Sequence, residues 1–154
     1  MKIDDVPSGV PLHYHCHVRT ESSPDPGRWS EVRQSSPDLV AWSVREVLEW
    51  VHARIGEHRH EVDEHHGRRE HVEHMLSTYE PEPPTPRSGE IASPWAYMAH
   101  GLRHGHWRLP SVYVREGRIL APWILPVADE RCREHTRPED RPYSAPDAVP
   151  ARGE

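Results

Sequence analysis

Apolar and polar residues alternate without interruption over Leu12–Val18, LHYHCHV. Successive side chains of a β-strand point to opposite faces, so Leu12, Tyr14, Cys16 and Val18 fall on one face and His13, His15 and His17 on the other. This pattern predicts a strand over residues 10–19, with its apolar face on the core and three imidazoles above it. Further along the period changes. Val40, Val44, Val47, Leu48, Val51 and Ile55 recur at intervals of three and four, the stripe of an amphipathic helix. Ser36, Pro37 and Asp38 supply start signals: a capping hydroxyl, a proline at the first helical position and an acid near the positive dipole end. A dominant helix is expected from 37 to about 55, with a polar extension to 79 through EHRHEVDEHHGRREHVEH. Trp42 and Trp50 fall on a face beside the aliphatic stripe, where a partner helix could cover them.

Residues 80–93, rich in proline, predict an extended linker. Ser93-Pro94 repeats the cap-then-proline signal, and Trp95, Met98 and Leu102 predict a short amphipathic helix over 94–104, closed by Gly105. Val112 and Val114 lead into a turn at Glu116-Gly117 and Ile119 leads out, which predicts a hairpin near 111–125 that pairs with the first strand. Pro110, Pro122 and Pro126 argue for short or edge strands, because proline has no N–H to give a ladder. A helical piece over Asp129 to His135 is expected to close the domain. The fold class is α+β: a small antiparallel sheet, built from the N-terminal strand and the C-terminal hairpin, packed on one face by one long and one or two short helices. One domain is expected over residues 1–135, with a disordered tail at 136–154.

Composition narrows the function. Prolines number 17, and the apolar fraction is a modest 34%, so part of the chain is expected to form loops. The net charge is −6, and acids and bases are mixed along the helices instead of forming a basic stripe; no nucleic-acid partner is expected. The start, MKIDDVPSG, shows no secretory pattern, and the longest apolar patch, Ile119 to Val127, is far short of the ~20 residues of a membrane helix. A cytoplasmic protein with no membrane partner is the expectation, and in that setting Cys16 and Cys132 read as reduced thiols or metal ligands.

Fourteen histidines give four candidate groups. His13, His15 and His17 could share a metal if another element supplies a further ligand, and zinc fits such donors; the competing reading is a strand face of uncommitted imidazoles. The helical group His58, His60, His65, His66, His71 and His74 has chelating spacings, but HEVDEH holds one residue too many for the zinc-protease pattern HExxH, so a solvated face is the simpler reading. His100, His104 and His106 can converge around Gly105. Cys132 and His135 form a CxxH pair that could make part of a structural zinc site with Cys16, but on a regular strand Cys16 points away from His15 and His17. No nucleophile elbow and no phosphate-cradling glycine loop occurs, so the residues give no support for an enzyme built on either.

The sequence thus predicts a cytoplasmic, non-catalytic interaction or accessory protein, self-associating or bound to a protein partner through Trp42 and Trp50. The alternative is a divalent-metal protein or zinc-dependent hydrolase using the His13, His15 and His17 face. In it, His100, His104, Cys132 and His135 are the further candidate ligands. A third reading is a pH-responsive interface, because histidine charge changes near pH ~6.5.

Overall fold

The computed structural model describes residues 9–21, 28–62 and 68–140; His65, His66 and the tail beyond residue 140 lie outside them. Strand β1 (Leu12–Glu21) is followed by a short helix α1 (Trp29–Gln34), strand β2 (Leu39–Ala41) and helices α2 (Val44–Glu57), α3 (Arg68–Ser77) and α4 (Pro94–Arg103). Strands β3 (Val112–Tyr113) and β4 (Ile119–Ala128) complete a four-stranded antiparallel sheet of order β2-β1-β4-β3. The α+β class is as the periodicities predict. Residues 80–93 contain no helix or strand, yet the segments on either side of them share one sheet and one core.

The alternation in β1 becomes two packed faces. Tyr14 and Cys16 are buried among Val47, Leu48, Val51, Ile55, Trp95, Leu102, Leu120 and Ile124, with Leu12 and Val18 at the edge of the same cluster. The Tyr14 hydroxyl donates to the carbonyl of Leu102 at 3.3 Å, tying this face to α4. On the opposite face a smaller cluster of Val32, Ala121, Trp123 and Leu125 is flanked by Trp107 and Leu109. Helix α1, which carries Val32, therefore covers the histidine face, while α2, α3 and α4 supply the larger core. His13 and His17 are fully buried, so the imidazole face is an interior.

The dominant helix begins later than the stripe suggests. Ser43 is its N-cap, accepting from the Glu46 N–H at 3.2 Å, whereas Ser36, Pro37 and Asp38 punctuate a strand. The Asp38 carboxylate accepts from the Val18 N–H at 2.7 Å and the Asp38 N–H donates to the Cys16 carbonyl at 2.8 Å, so the segment is drawn to the edge of β1 and Val40 belongs to β2. At the other end α2 stops at Glu57, where the His58 ring bonds the Arg54 carbonyl at 2.9 Å. A single turn at Arg59–Glu61 and the bridge of Val62 to Val114 follow before α3, so the polar extension is a separate helix. Helix α4 ends as Gly105 predicts. The Gly105 N–H meets the Leu102 carbonyl at 3.0 Å and the His106 N–H the Gly101 carbonyl at 2.9 Å, a reversal that needs the positive φ of 79° that glycine tolerates.

The prolines do not put β4 at an edge. It lies between β1 and β3, paired with β1 over ten residues from Leu12↔Ala128 to Glu21↔Ile119. Ile124 exchanges both backbone bonds with Arg108, at 2.9 and 3.0 Å, so the even-numbered amides of β4 point away from β1. Pro122 and Pro126 therefore remove donors only on that far side. The register linking Arg108↔Ile124 to Val112↔Leu120 sets Pro110 opposite Pro122, where neither has an N–H to leave unpaired. No helix among the described residues is long and apolar enough to cross a membrane.

Candidate metal centre

Alternation places His13 and His15 on one face of β1, and strand register decides what they meet. Because Leu12 pairs with Ala128 and His13 with Val127, the residues following β4 emerge beside the His13 end of β1. There the chain makes one 3-10 turn, Asp129–Arg131, and Cys132 continues in an extended conformation. The expected helix over Asp129 to His135 is thus confined to that turn. Cys132 and His135 nevertheless come together, with Sγ of Cys132 3.5 Å from Nδ1 of His135 and 3.8 Å from Nε2 of His15. Nε2 of His15 lies 3.1 Å from Nε2 of His13.

One donor atom from each of His13, His15, Cys132 and His135 lies within 4.8 Å of the others. A tetrahedral zinc ion with its usual bond lengths separates nitrogen ligands by about 3.3 Å and nitrogen from sulfur by about 3.6 Å. The three close separations, 3.1, 3.5 and 3.8 Å, straddle those values. Two imidazole nitrogens facing each other can otherwise share only one proton. A cation between them satisfies both lone pairs.

Around these donors is a support that the histidine pattern does not reveal. Nδ1 of His13 donates to Oδ1 of Asp129 at 2.7 Å, which leaves Nε2 of the neutral ring with its lone pair toward the cluster. Arg137 holds that carboxylate, its Nε donating to Oδ2 at 2.6 Å. The same guanidinium donates to the carbonyls of Trp42 at 3.2 Å and Leu12 at 2.5 Å. The Trp42 ring packs 4.7 Å from the His13 ring and 5.4 Å from the Arg137 guanidinium carbon. A carboxylate, an indole and an arginine thus fix the orientation of one imidazole, an arrangement typical around metal-ligating histidine.

At His13 and His15 the electrostatics favour the neutral imidazole that a metal requires. Burial lowers the pKa of His13 against the opposing pull of Asp129. Burial, then the neighbouring His13 and His135, pushes His15 down to about 4. Burial raises the Asp129 carboxyl, but its bonds from Arg137 and His13 outweigh this and hold it below the ordinary carboxylate value. Neutral imidazoles beside an ionised carboxylate offer lone pairs without first losing protons. Comparison with protein-family models, curated proteins and solved structures finds no match to this chain.

The remaining candidates lie elsewhere. His17 shares the face but not the cluster; it is opposite Trp123, with Nδ1 3.2 Å from the Ser35 hydroxyl. That hydroxyl donates to the Val32 carbonyl at 2.6 Å, so Nδ1 of His17 is the donor in their contact. Its Nε2 is buried without a partner, and burial followed by the Arg19 charge pushes its pKa down to about 4. His100 on α4 and His104 at its C-cap pack ring to ring at 4.3 Å, on the helix bonded to the opposite face of β1 through Tyr14. Cys16 is fully buried in that core, where burial pushes its thiol pKa up. Trp50 lies in the core, 5.9 Å from the Arg54 guanidinium, while Trp42 forms one wall of the His13 site. Of the helical histidines, His60, His71 and His74 are exposed.

A polar cavity of about 400 Å³ opens beside the cluster, bordered by His15, Ser35, Ser36, Val40, Glu134 and His135. Two of the four candidate ligands therefore have an edge on solvent, which gives an ion a way in.

Proposed function

We propose that this chain is a zinc-binding domain in which a Cys-His₃ centre staples the segment after β4 to the start of β1. The observation that carries this reading is the convergence of His13, His15, Cys132 and His135 within 4.8 Å, with Asp129 and Arg137 orienting His13. Four protein donors complete the tetrahedral shell typical of structural zinc, whereas catalytic sites keep a position for water or substrate. The reading is accordingly a non-catalytic one. Bound zinc would stabilise the folded chain because the unfolded chain does not preassemble the four ligands. Without the ion, this segment is held to the sheet chiefly by polar contacts: the Asp129 N–H donates to the Pro11 carbonyl at 3.0 Å, and Arg137 bonds Asp129, Trp42 and Leu12.

Self-association through Trp42 and Trp50 has less support, because Trp50 packs within the chain's own core and Trp42 packs against His13 and Arg137. Native mass spectrometry of tag-free protein, compared with the denatured mass, tests the zinc reading. One zinc per chain is expected, and its loss in the His13→Ala, His15→Ala double variant. Wild-type protein with no metal above background, after exposure to zinc and desalting, contradicts it.

A further inference from the structure

A second cavity shares no lining residue with the metal centre. It encloses about 420 Å³ between α3, α4 and the segment 108–111, within the ~300–1,000 Å³ typical of small-molecule sites. Met75 and Met98, both buried, line it with Leu109, Pro94 and Pro110. Met is adaptable in shape and suits an apolar ligand without a fixed outline.

Arg108 is one of the lining residues, and its position is set on two sides. Its backbone exchanges hydrogen bonds of 3.0 and 2.9 Å with Ile124. Its guanidinium fills a notch in α4 left by Gly101, where a Cβ would stand only 1.7 Å from Nη2. Among the described residues its guanidinium makes one side-chain hydrogen bond, from Nη1 to the Trp107 carbonyl at 3.0 Å, and pairs with no carboxylate. A half-buried guanidinium that no described carboxylate neutralises, at the wall of an apolar cavity, selects an anion attached to an apolar body. Charge-assisted bonds from arginine to a carboxylate are among the stronger hydrogen bonds, and its planar fork suits two oxygens. His100 and Ser111 border the same cavity and add polar groups to its lining.

We infer that this cavity is a binding site for a small amphipathic carboxylate, its head on Arg108 and its apolar body between Met75 and Met98. This site is independent of the zinc centre. The test is a titration of the zinc-treated 154-residue chain with octanoate, octanol and octylammonium, followed by calorimetry and by the methyl NMR signals of methionine. The chain has only three methionines, so Met75 and Met98 are readily assigned. Octanoate should bind saturably and shift both signals, octanol should bind at least tenfold more weakly, and octylammonium should not bind. Arg108→Gln should weaken octanoate at least tenfold. If that variant does not fold, the three-ligand comparison on wild-type protein decides alone. Absence of saturable octanoate binding, equal affinity for octanol, or binding that leaves Met75 and Met98 unmoved overturns the inference. So does undiminished octanoate affinity in folded Arg108→Gln.

Discussion

Nδ1 of His13 and Oδ1 of Asp129 lie 2.7 Å apart although the two residues are 116 positions apart in the chain. That bond links the second residue of β1 to the first residue after β4, and it decides which nitrogen of His13 faces His15. Replacing the carboxylate by an amide leaves the shape but removes the charge that fixes the ring. Asp129→Asn should weaken zinc binding by about 10–100-fold, the usual cost of losing a partner that orients a metal-bound histidine. Competition with a chelator of known affinity measures it; unchanged affinity would show that Asp129 only anchors Arg137.

Zinc that binds only the folded chain stabilises it by mass action. At free zinc about 1,000 times the dissociation constant the gain is about 4 kcal/mol. In a domain of this size that corresponds to roughly 8–16 °C in melting temperature. Cys132→Ser should lose most of this response while remaining folded, because the Arg137 bonds to Leu12 and Trp42 do not involve the thiol. Thermal melts with zinc and with excess chelator check both statements; a wild-type melt indifferent to zinc contradicts them.

Acid should destabilise the metal-free protein. An unfolded histidine takes up its proton near pH 6.5, while His15 and His17 in the folded chain resist until about pH 4, and His13 is shifted in the same direction. The unfolded state therefore binds more protons between these limits. Stability is full above pH 6.5, falls as pH drops toward 4, and this part of the loss levels off below 4, where the folded imidazoles also protonate. Denaturant titrations of chelated protein should show a midpoint that falls from pH 7 to 5 and again to 4. A flat midpoint across that range would mean that these imidazoles are not held neutral by the fold.

The start of α2 gives a test of local structure. Ser43 caps the helix at 3.2 Å from the Glu46 N–H, so Ser43→Ala should cost about 1 kcal/mol. Ser36, which the Ser-Pro-Asp signal marks as the cap, is exposed and outside the helix. Ser36→Ala should stay within about 0.5 kcal/mol of wild type. Equal costs at the two positions, measured by chemical denaturation, would contradict this placement.

These contrasts show what the sequence carries and what it does not. Period-two alternation over Leu12–Val18 and the stripe from Val44 to Ile55 are local, and both are realised, because burial of a face is decided by spacing within one element. The Ser36-Pro37-Asp38 signal is equally local but misleads: Asp38 finds the Val18 N–H at 2.7 Å, and that contact with β1 overrides its preference for a helix start. The candidate metal cluster is legible only in halves. HxH and CxxH are both visible, yet bringing them together requires the register Leu12↔Ala128, which alternation does not fix. Asp129, Arg137 and Trp42 carry no motif, since their roles depend on contacts across most of the chain. Burial of the histidine face likewise depends on α1 and Trp123, whose packing over it has no signature in LHYHCHV.

Cobalt(II) substitution reads out the four-ligand centre itself, since cobalt takes zinc's place in tetrahedral sites and its spectrum reports both geometry and thiolate ligation. Titrating cobalt into the tag-free, metal-free chain should give intense visible bands of a tetrahedral ion and a near-ultraviolet thiolate-to-cobalt charge-transfer band, saturating at one ion per chain. Zinc should abolish both, and Cys132→Ser should remove the charge-transfer band. Weak octahedral bands alone, or a charge-transfer band that survives in Cys132→Ser, would contradict a centre formed by His13, His15, Cys132 and His135.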